Sequence, residues 1–191
     1  MKKKYLLMFL VLLLCIGCNK KVEEGINTDK LLLEAINGTK KIVYEDGSTI
    51  YFDDIKFNED ENAVPSEYVL IDLDKDGTKE LVCLTTAFTG EYVILRYNKT
   101  NNSIYGYHTG YRSFMDLKED GSFRGSGGAS ITGYYILKFD NNMMSAEEVA
   151  LLDYSENKYT INNQNVTKEE AVNYETEFNK KKGVTWIKIK E

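Results

Sequence analysis

Along this chain, apolar and polar positions alternate in short runs, and most of the runs read as strands. Tyr68-Val69-Leu70-Ile71 and Leu81-Val82-Cys83-Leu84 are strand formers on either side of an acidic stretch. Residues 91–97 predict a strong strand, 98–102 a turn and 103–107 its return. Residues 41–44 and 49–52 flank Glu45-Asp46-Gly47-Ser48 and predict a hairpin by the Asp-Gly signal. Residues 58–62 with Pro65 predict a loop into the strand before the acidic stretch. Further strands are predicted over 111–115, 122–124, 131–139, 149–154 and 158–161, and a half-buried one over 184–189. Gly125-Ser126-Gly127-Gly128 reads as a flexible turn.

Two segments carry helical signals instead. Thr28 or Asp29 caps a helix through Leu31 to Ile36, stopped by Asn37-Gly38. Thr167-Lys168-Glu169-Glu170 is a capping box that opens a second helix. Ala171, Tyr174 and Phe178 share one face of it, and Gly183 is the predicted stop. The expected fold is α+β and β-rich: one domain over 28–191, mainly antiparallel sheet, with an N-terminal and a C-terminal helix.

The acidic stretch places Asp72, Asp74 and Asp76 at alternating positions, then Gly77, Thr78 and Glu80. A tight loop can turn three such carboxylates inward, and glycine permits the positive φ that closes the turn. Calcium is a hard cation that takes six to eight oxygens. The Thr78 carbonyl and the Glu80 carboxylate are the further oxygens this spacing offers, while Lys75 and Lys79 are expected to face solvent. An EF-hand would need Glu at the twelfth position and flanking helices; that position is Cys83, within a strand. The prediction is a strand-loop-strand calcium unit.

Asp72-Leu73-Asp74-x-Asp76-Gly77-x-x-Glu80-Leu81-Val82 resembles the loop of FG-GAP/VCBS-type repeats, the integrin-α-like calcium loops. The resemblance implies that Asp72, Asp74, Asp76 and Glu80 bind calcium, with Thr78 through its carbonyl. Asp is commoner than Glu at the ninth place. The likeness covers one repeat of about twenty residues, and no second Asp-x-Asp-x-Asp-Gly follows, which excludes a propeller of such repeats. The chain as a whole is similar to small Firmicutes lipoproteins and secreted proteins with one such loop, a likeness that implies fold and location rather than activity.

The N-terminus changes the expected address. Met1-Lys2-Lys3-Lys4 is a basic start, residues 5–16 are almost wholly apolar, and the run ends in Cys15-Ile16-Gly17-Cys18. This resembles a bacterial lipobox, with Cys15 where Leu is usual. It implies a signal peptide over 1–17, lipidation of Cys18, a polar tether over 18–27, and a protein anchored to the cell membrane on its outer side. The formal charge of the 191-residue chain is −6; removing Lys2, Lys3 and Lys4 without any acid takes it to −9. Such a balance argues against nucleic acid and against electrostatic adhesion to anionic lipid. Of three cysteines, only Cys83 would then remain free, as a core residue.

Other chemistry is sparse. The chain has one His and no Gly-x-Ser-x-Gly, so His-pair metal sites and serine-hydrolase elbows are absent. Tyr92, Tyr97, Tyr105, Tyr107, Tyr111, Tyr134 and Tyr135 crowd the middle of the chain. They either line the buried face of a sheet or expose a platform for a surface protein or glycan. On the second reading Tyr105, Tyr107, Tyr111 and Arg112 are the candidate ligand-binding residues, and Arg112 with Arg124 is suited to a carboxylate. The expected function is a non-enzymatic, lipid-anchored calcium-binding module. A surface hydrolase of glycan or cell wall and an accessory subunit of an envelope complex are the alternatives.

Overall fold

The computed structural model describes residues 26–58, 61–62, 64–86, 91–110 and 112–189. The predicted signal peptide, Cys18, all of the tether but Ile26 and Asn27, and Tyr111 lie outside them. No helix among the described residues is long and apolar enough to cross a membrane.

The order of elements is α1 (Thr28–Ile36), β1 (Ile42–Val43), β2 (Thr49–Ile50), a 3-10 turn (Phe52–Asp54), β3 (Lys56–Asn58), β4 (Glu61–Asn62), β5 (Pro65–Ile71), β6 (Glu80–Thr85), β7 (Tyr92–Asn98), β8 (Ser103–His108), β9 (Phe123–Gly128), β10 (Ile131–Asp140), β11 (Met143–Asp153), β12 (Lys158–Ile161), β13 (Gln164–Asn165), α2 (Lys168–Lys180) and β14 (Ile187–Lys188). The fold is β-rich α+β, as predicted. A seven-stranded sheet runs β14-β5-β6-β7-β8-β1-β2, and a five-stranded sheet runs β13-β12-β11-β10-β9. Neighbours are antiparallel except β1 and β8.

Period-two alternation builds the layers. On β6 and β7, Leu81, Cys83, Val93, Leu95 and Tyr97 face one way, against Leu32, Ala35 and Ile36 of α1. Val82 and Ile94 face the other way, where they meet Phe123 and Leu137 of the second sheet. Behind that sheet, Tyr134, Ala150 and Leu152 pack on Ala171 and Phe178 of α2. The result is helix, sheet, sheet, helix, with the predicted α2 face at the last interface. Full burial of a side chain such as Ile94 is worth about 1.5–3 kcal/mol.

Several boundaries differ from expectation. Asn27, not Thr28 or Asp29, caps α1: its side-chain oxygen accepts the Lys30 N–H at 3.1 Å. Residues 56–62 form the small β3–β4 hairpin, and Pro65 opens β5, where a missing N–H is tolerated. No strand forms over 112–115. Arg112 and Asp116 have φ of 57° and 53°, which breaks an extended run and leaves only the single bridge from Met115 to Arg124. The glycine tract is not a turn but most of β9. A Cβ on Gly125 would stand 3.0 Å from the Tyr135 ring and 3.2 Å from the Ser113 carbonyl oxygen, so close packing demands glycine there. β11 begins at Met143, earlier than predicted, because Asn141 and Asn142 adopt left-handed φ and make a tight hairpin turn. α2 ends at Lys180, before Gly183, which instead bridges Lys118. The closing strand shrinks to Ile187–Lys188 on the edge of β5.

Candidate metal centre

The acidic stretch joins β5 to β6, whose register pairs Ile71 with Glu80. The apolar side chains of both strands anchor its ends, with Leu73 inserted between the sheets. Between them the backbone must curl tightly: Lys75 and Gly77 take φ of 63° and 85°. Loop amides fix the carboxylates. Asp72 accepts from Asp76 N–H at 3.1 Å and from Gly77 N–H at 2.9 Å. Asp74 accepts from Asp76 N–H at 3.2 Å, and Asp76 accepts from Thr78 N–H at 2.6 Å. Glu80 reaches back across the hairpin, where its Oε2 accepts from Leu73 N–H at 3.0 Å.

This arrangement gathers Asp72, Asp74 and Glu80, with one carboxylate oxygen of each within 4.8 Å of the others. Glu80 is fully buried, and its Oε1 has no hydrogen-bond partner among the described residues. Burial pushes its carboxyl up to about 8. The Leu73 amide and Arg96 pull it down, Asp74 and Asp76 push it further up, and burial prevails.

Arg96, which sequence reasoning missed, supplies the cation at this centre. Its Nη2 stands 2.8 Å from Asp76 and 3.3 Å from Asp74, and its Nε is 3.6 Å from Glu80 Oε1. The guanidinium also lies 4.5 Å from the Phe139 ring centroid. The β6–β7 register, Leu81 opposite Leu95, puts Glu80 and Arg96 side by side on the face between the sheets. Alternation between Leu95 and Tyr97 was the only signal for that direction. Asp76 is thus turned toward Arg96 rather than into the three-carboxylate group, and the Thr78 hydroxyl accepts from Lys99 at 3.2 Å. Lys75 is exposed as expected; Lys79, half-exposed, pairs with Asp29 of α1 at 3.2 Å.

The donor set is oxygen alone, without His or thiolate, which suits a hard divalent cation and disfavours softer metals. The orphaned Glu80 oxygen fits a ligand that brings positive charge without needing a donor proton.

Among the described residues, the remaining candidates do not assemble into one site. Tyr107 is buried, and its hydroxyl donates to the Asn142 carbonyl at 3.0 Å. Tyr105 is half-buried against the core, and its hydroxyl accepts from Asn101 at 2.7 Å. Arg112 lies elsewhere, on the turn beside β9, where it lines a recess with Arg124. Tyr97 and Tyr134 are buried, and Tyr92 and Tyr135 pack on the core, so these tyrosines line the sheets rather than a platform. Cys83 is buried and its thiol is pushed up to about 12, far from a nucleophilic thiolate. The one histidine engages Glu91 at 3.3 Å. A cleft of roughly 630 Å³ adjoins the loop and is lined mainly by amides and hydroxyls, with Asp76 its one carboxylate. It therefore offers no facing acid pair of the kind glycoside hydrolysis uses.

Comparison with known proteins finds no matching family model, no matching curated protein and no matching solved structure.

Proposed function

We propose that this protein is a calcium-binding module of the cell surface, held to the membrane by lipid on Cys18, that works by binding rather than catalysis. Asp72, Asp74 and Glu80 hold the ion, with the Thr78 carbonyl as a further oxygen of the loop. The ion is structural: it joins the β5–β6 turn to the strand carrying Glu80. The observation that carries this reading is the buried Glu80 Oε1, without a hydrogen-bond donor, facing two more carboxylates while the one nearby cation among the described residues, Arg96 at 3.6 Å, is shared with Asp74 and Asp76. An ionised carboxylate so buried is costly unless a cation meets it. The anchor rests on Lys2, Lys3 and Lys4, the apolar run and Gly17-Cys18.

Thermal unfolding in EDTA and in millimolar calcium, beside Asp74→Ala, tests the ion. Calcium is expected to raise the wild-type midpoint and to leave the variant unmoved; an unchanged wild type removes calcium from the proposal. Fractionation of producing cells tests the anchor separately. Wild type is expected in the membrane fraction and Cys18→Ser outside it, and equal partition of the two would end the lipid reading.

A further inference from the structure

The three arginines of the chain divide between two places. Arg96 belongs to the acidic loop, whereas Arg112 and Arg124 meet at the second sheet. Arg124 is on the edge strand β9, and Arg112 is on the turn that crosses it. Together with Met115, Ser126, Ala129 and Thr132 they line a recess of roughly 330 Å³.

Backbone contacts hold the two arginines there. Met115 and Arg124 exchange both main-chain hydrogen bonds at 2.7 Å, and the Ser126 N–H donates to the Arg112 carbonyl at 2.9 Å. Arg112 itself takes φ of 57°, outside the usual region for a side chain of its size. Gly125 lets this turn lie close, because a Cβ there would meet the Ser113 carbonyl oxygen at 3.2 Å. Beyond Arg124, Ser126 and Gly128 line the recess and are small enough to leave it open.

Arg124 Nε is buried and donates to no group among the described residues. Its cross-strand partner Tyr134 donates its hydroxyl to Glu175 at 3.3 Å, and the other Glu175 oxygen accepts from Tyr154 at 3.1 Å. A buried charged donor without an acceptor carries the full cost of its lost hydration. Both arginines line this one recess, in a chain whose net charge is −6.

We propose that Arg112 and Arg124 form a binding site for a small oxyanion, a carboxylate or a phosphate. Arg124 Nε–H donates to one oxygen, and the Arg112 guanidinium supplies the second charge from the turn. A planar guanidinium matches two oxygens on one centre, the geometry both anions share. The Ser126 hydroxyl, now donating to the Gly128 carbonyl at 2.9 Å, and the Thr132 hydroxyl stand in the same recess. This site is independent of the calcium reading.

The test is proton–nitrogen NMR of the arginine Nε–H groups in the full chain, titrated with sodium acetate and, separately, sodium phosphate at constant ionic strength. The Arg124 signal is expected to shift and saturate in the millimolar range with at least one anion, and the stronger responder identifies the oxyanion. Arg112→Gln, on an exposed turn, is expected to weaken that midpoint by roughly tenfold or more. Arg124→Lys is expected to remove binding while the fold, read from the amide spectrum, persists. A signal unmoved by both anions overturns the proposal, and so does a response equal in wild type and Arg112→Gln. Should Arg124→Lys fail to fold, the Arg112→Gln comparison decides alone.

Discussion

Two acidic turns in this molecule share a pattern and solve the same charge problem differently. Asp72-Leu73-Asp74-Lys75-Asp76-Gly77 and Asp116-Leu117-Lys118-Glu119-Asp120-Gly121 both read Asp-Leu-x-x-Asp-Gly. They fold against each other: Leu73 and Leu117 enter the same core cluster, and a Cβ on Gly121 would lie 2.9 Å from the Leu73 carbonyl oxygen. Gly77 and Gly121 have nearly equal φ, 85° and 80°. The second turn carries its own cation. Lys118, at the place of Asp74, puts its ammonium 2.8 Å from Asp116 and 4.9 Å from the Phe178 ring centroid. Lys181, at the end of α2, meets Asp120 at 2.8 Å. The first turn sets Asp72, Asp74, Asp76 and Glu80 against the single guanidinium of Arg96. One turn is complete within the chain; the other has an excess of carboxylates over its own cation.

Removing the built-in cation should have the largest effect. Lys118→Ala leaves Asp116 without its partner and strips a buried ammonium from the Phe178 ring; a loss of about 3 kcal/mol is expected. Urea unfolding should give the same loss in EDTA and in calcium, and a loss that appears only with calcium would mean that the two turns share one ion. Making the first turn resemble the second comes next. Asp74→Lys should abolish the calcium-dependent gain, about 2.7 kcal/mol at hundredfold excess of ion, leaving a protein that melts alike with and without calcium. If the variant still gains from calcium, Asp74 is not part of the centre.

The smallest effect is that of acid on the second turn. Burial would raise the Asp120 carboxyl, but hydrogen bonds from Lys181 and Ser122 outweigh it and hold it at about 2, below the ordinary 3.8. Because the folded value is the lower one, this contribution is complete above pH 3.8 and is lost as the pH falls toward 2. The difference in urea midpoint between wild type and Asp120→Asn should therefore shrink across that interval. A difference constant from pH 5 to pH 2 would dissociate Asp120 from the turn's stability.

What was legible in the residues was what is local. Alternation around Tyr68 to Leu84 placed the loop between two strands, and Asp spacing with Gly77 placed its curl, because each depends on neighbours a few positions apart. Thr167 and Glu170 announced α2 for the same reason. Arg96 was not legible as part of the centre: it meets Asp76 from twenty residues away, through a sheet register that no short window contains. The glycines of β9 were read as a turn because glycine usually punctuates. There they are small so that a tyrosine ring and a crossing backbone can approach, a demand that exists only once the layers are stacked. Nothing in the residues around Lys118 marks it as buried, since its burial depends on α2 arriving from fifty residues later.

The ends of the two sheets carry a further consequence. Three of their four outer strands, β2, β13 and β14, are two residues long. A neighbouring copy finds almost no row of free amides and carbonyls there to extend, so these borders resist edge-to-edge aggregation. The fourth border, β9, is longer, but Arg112 and Met115 already occupy backbone groups at Ser126 and Arg124. Copies held at high local density can therefore sit side by side without their sheets fusing.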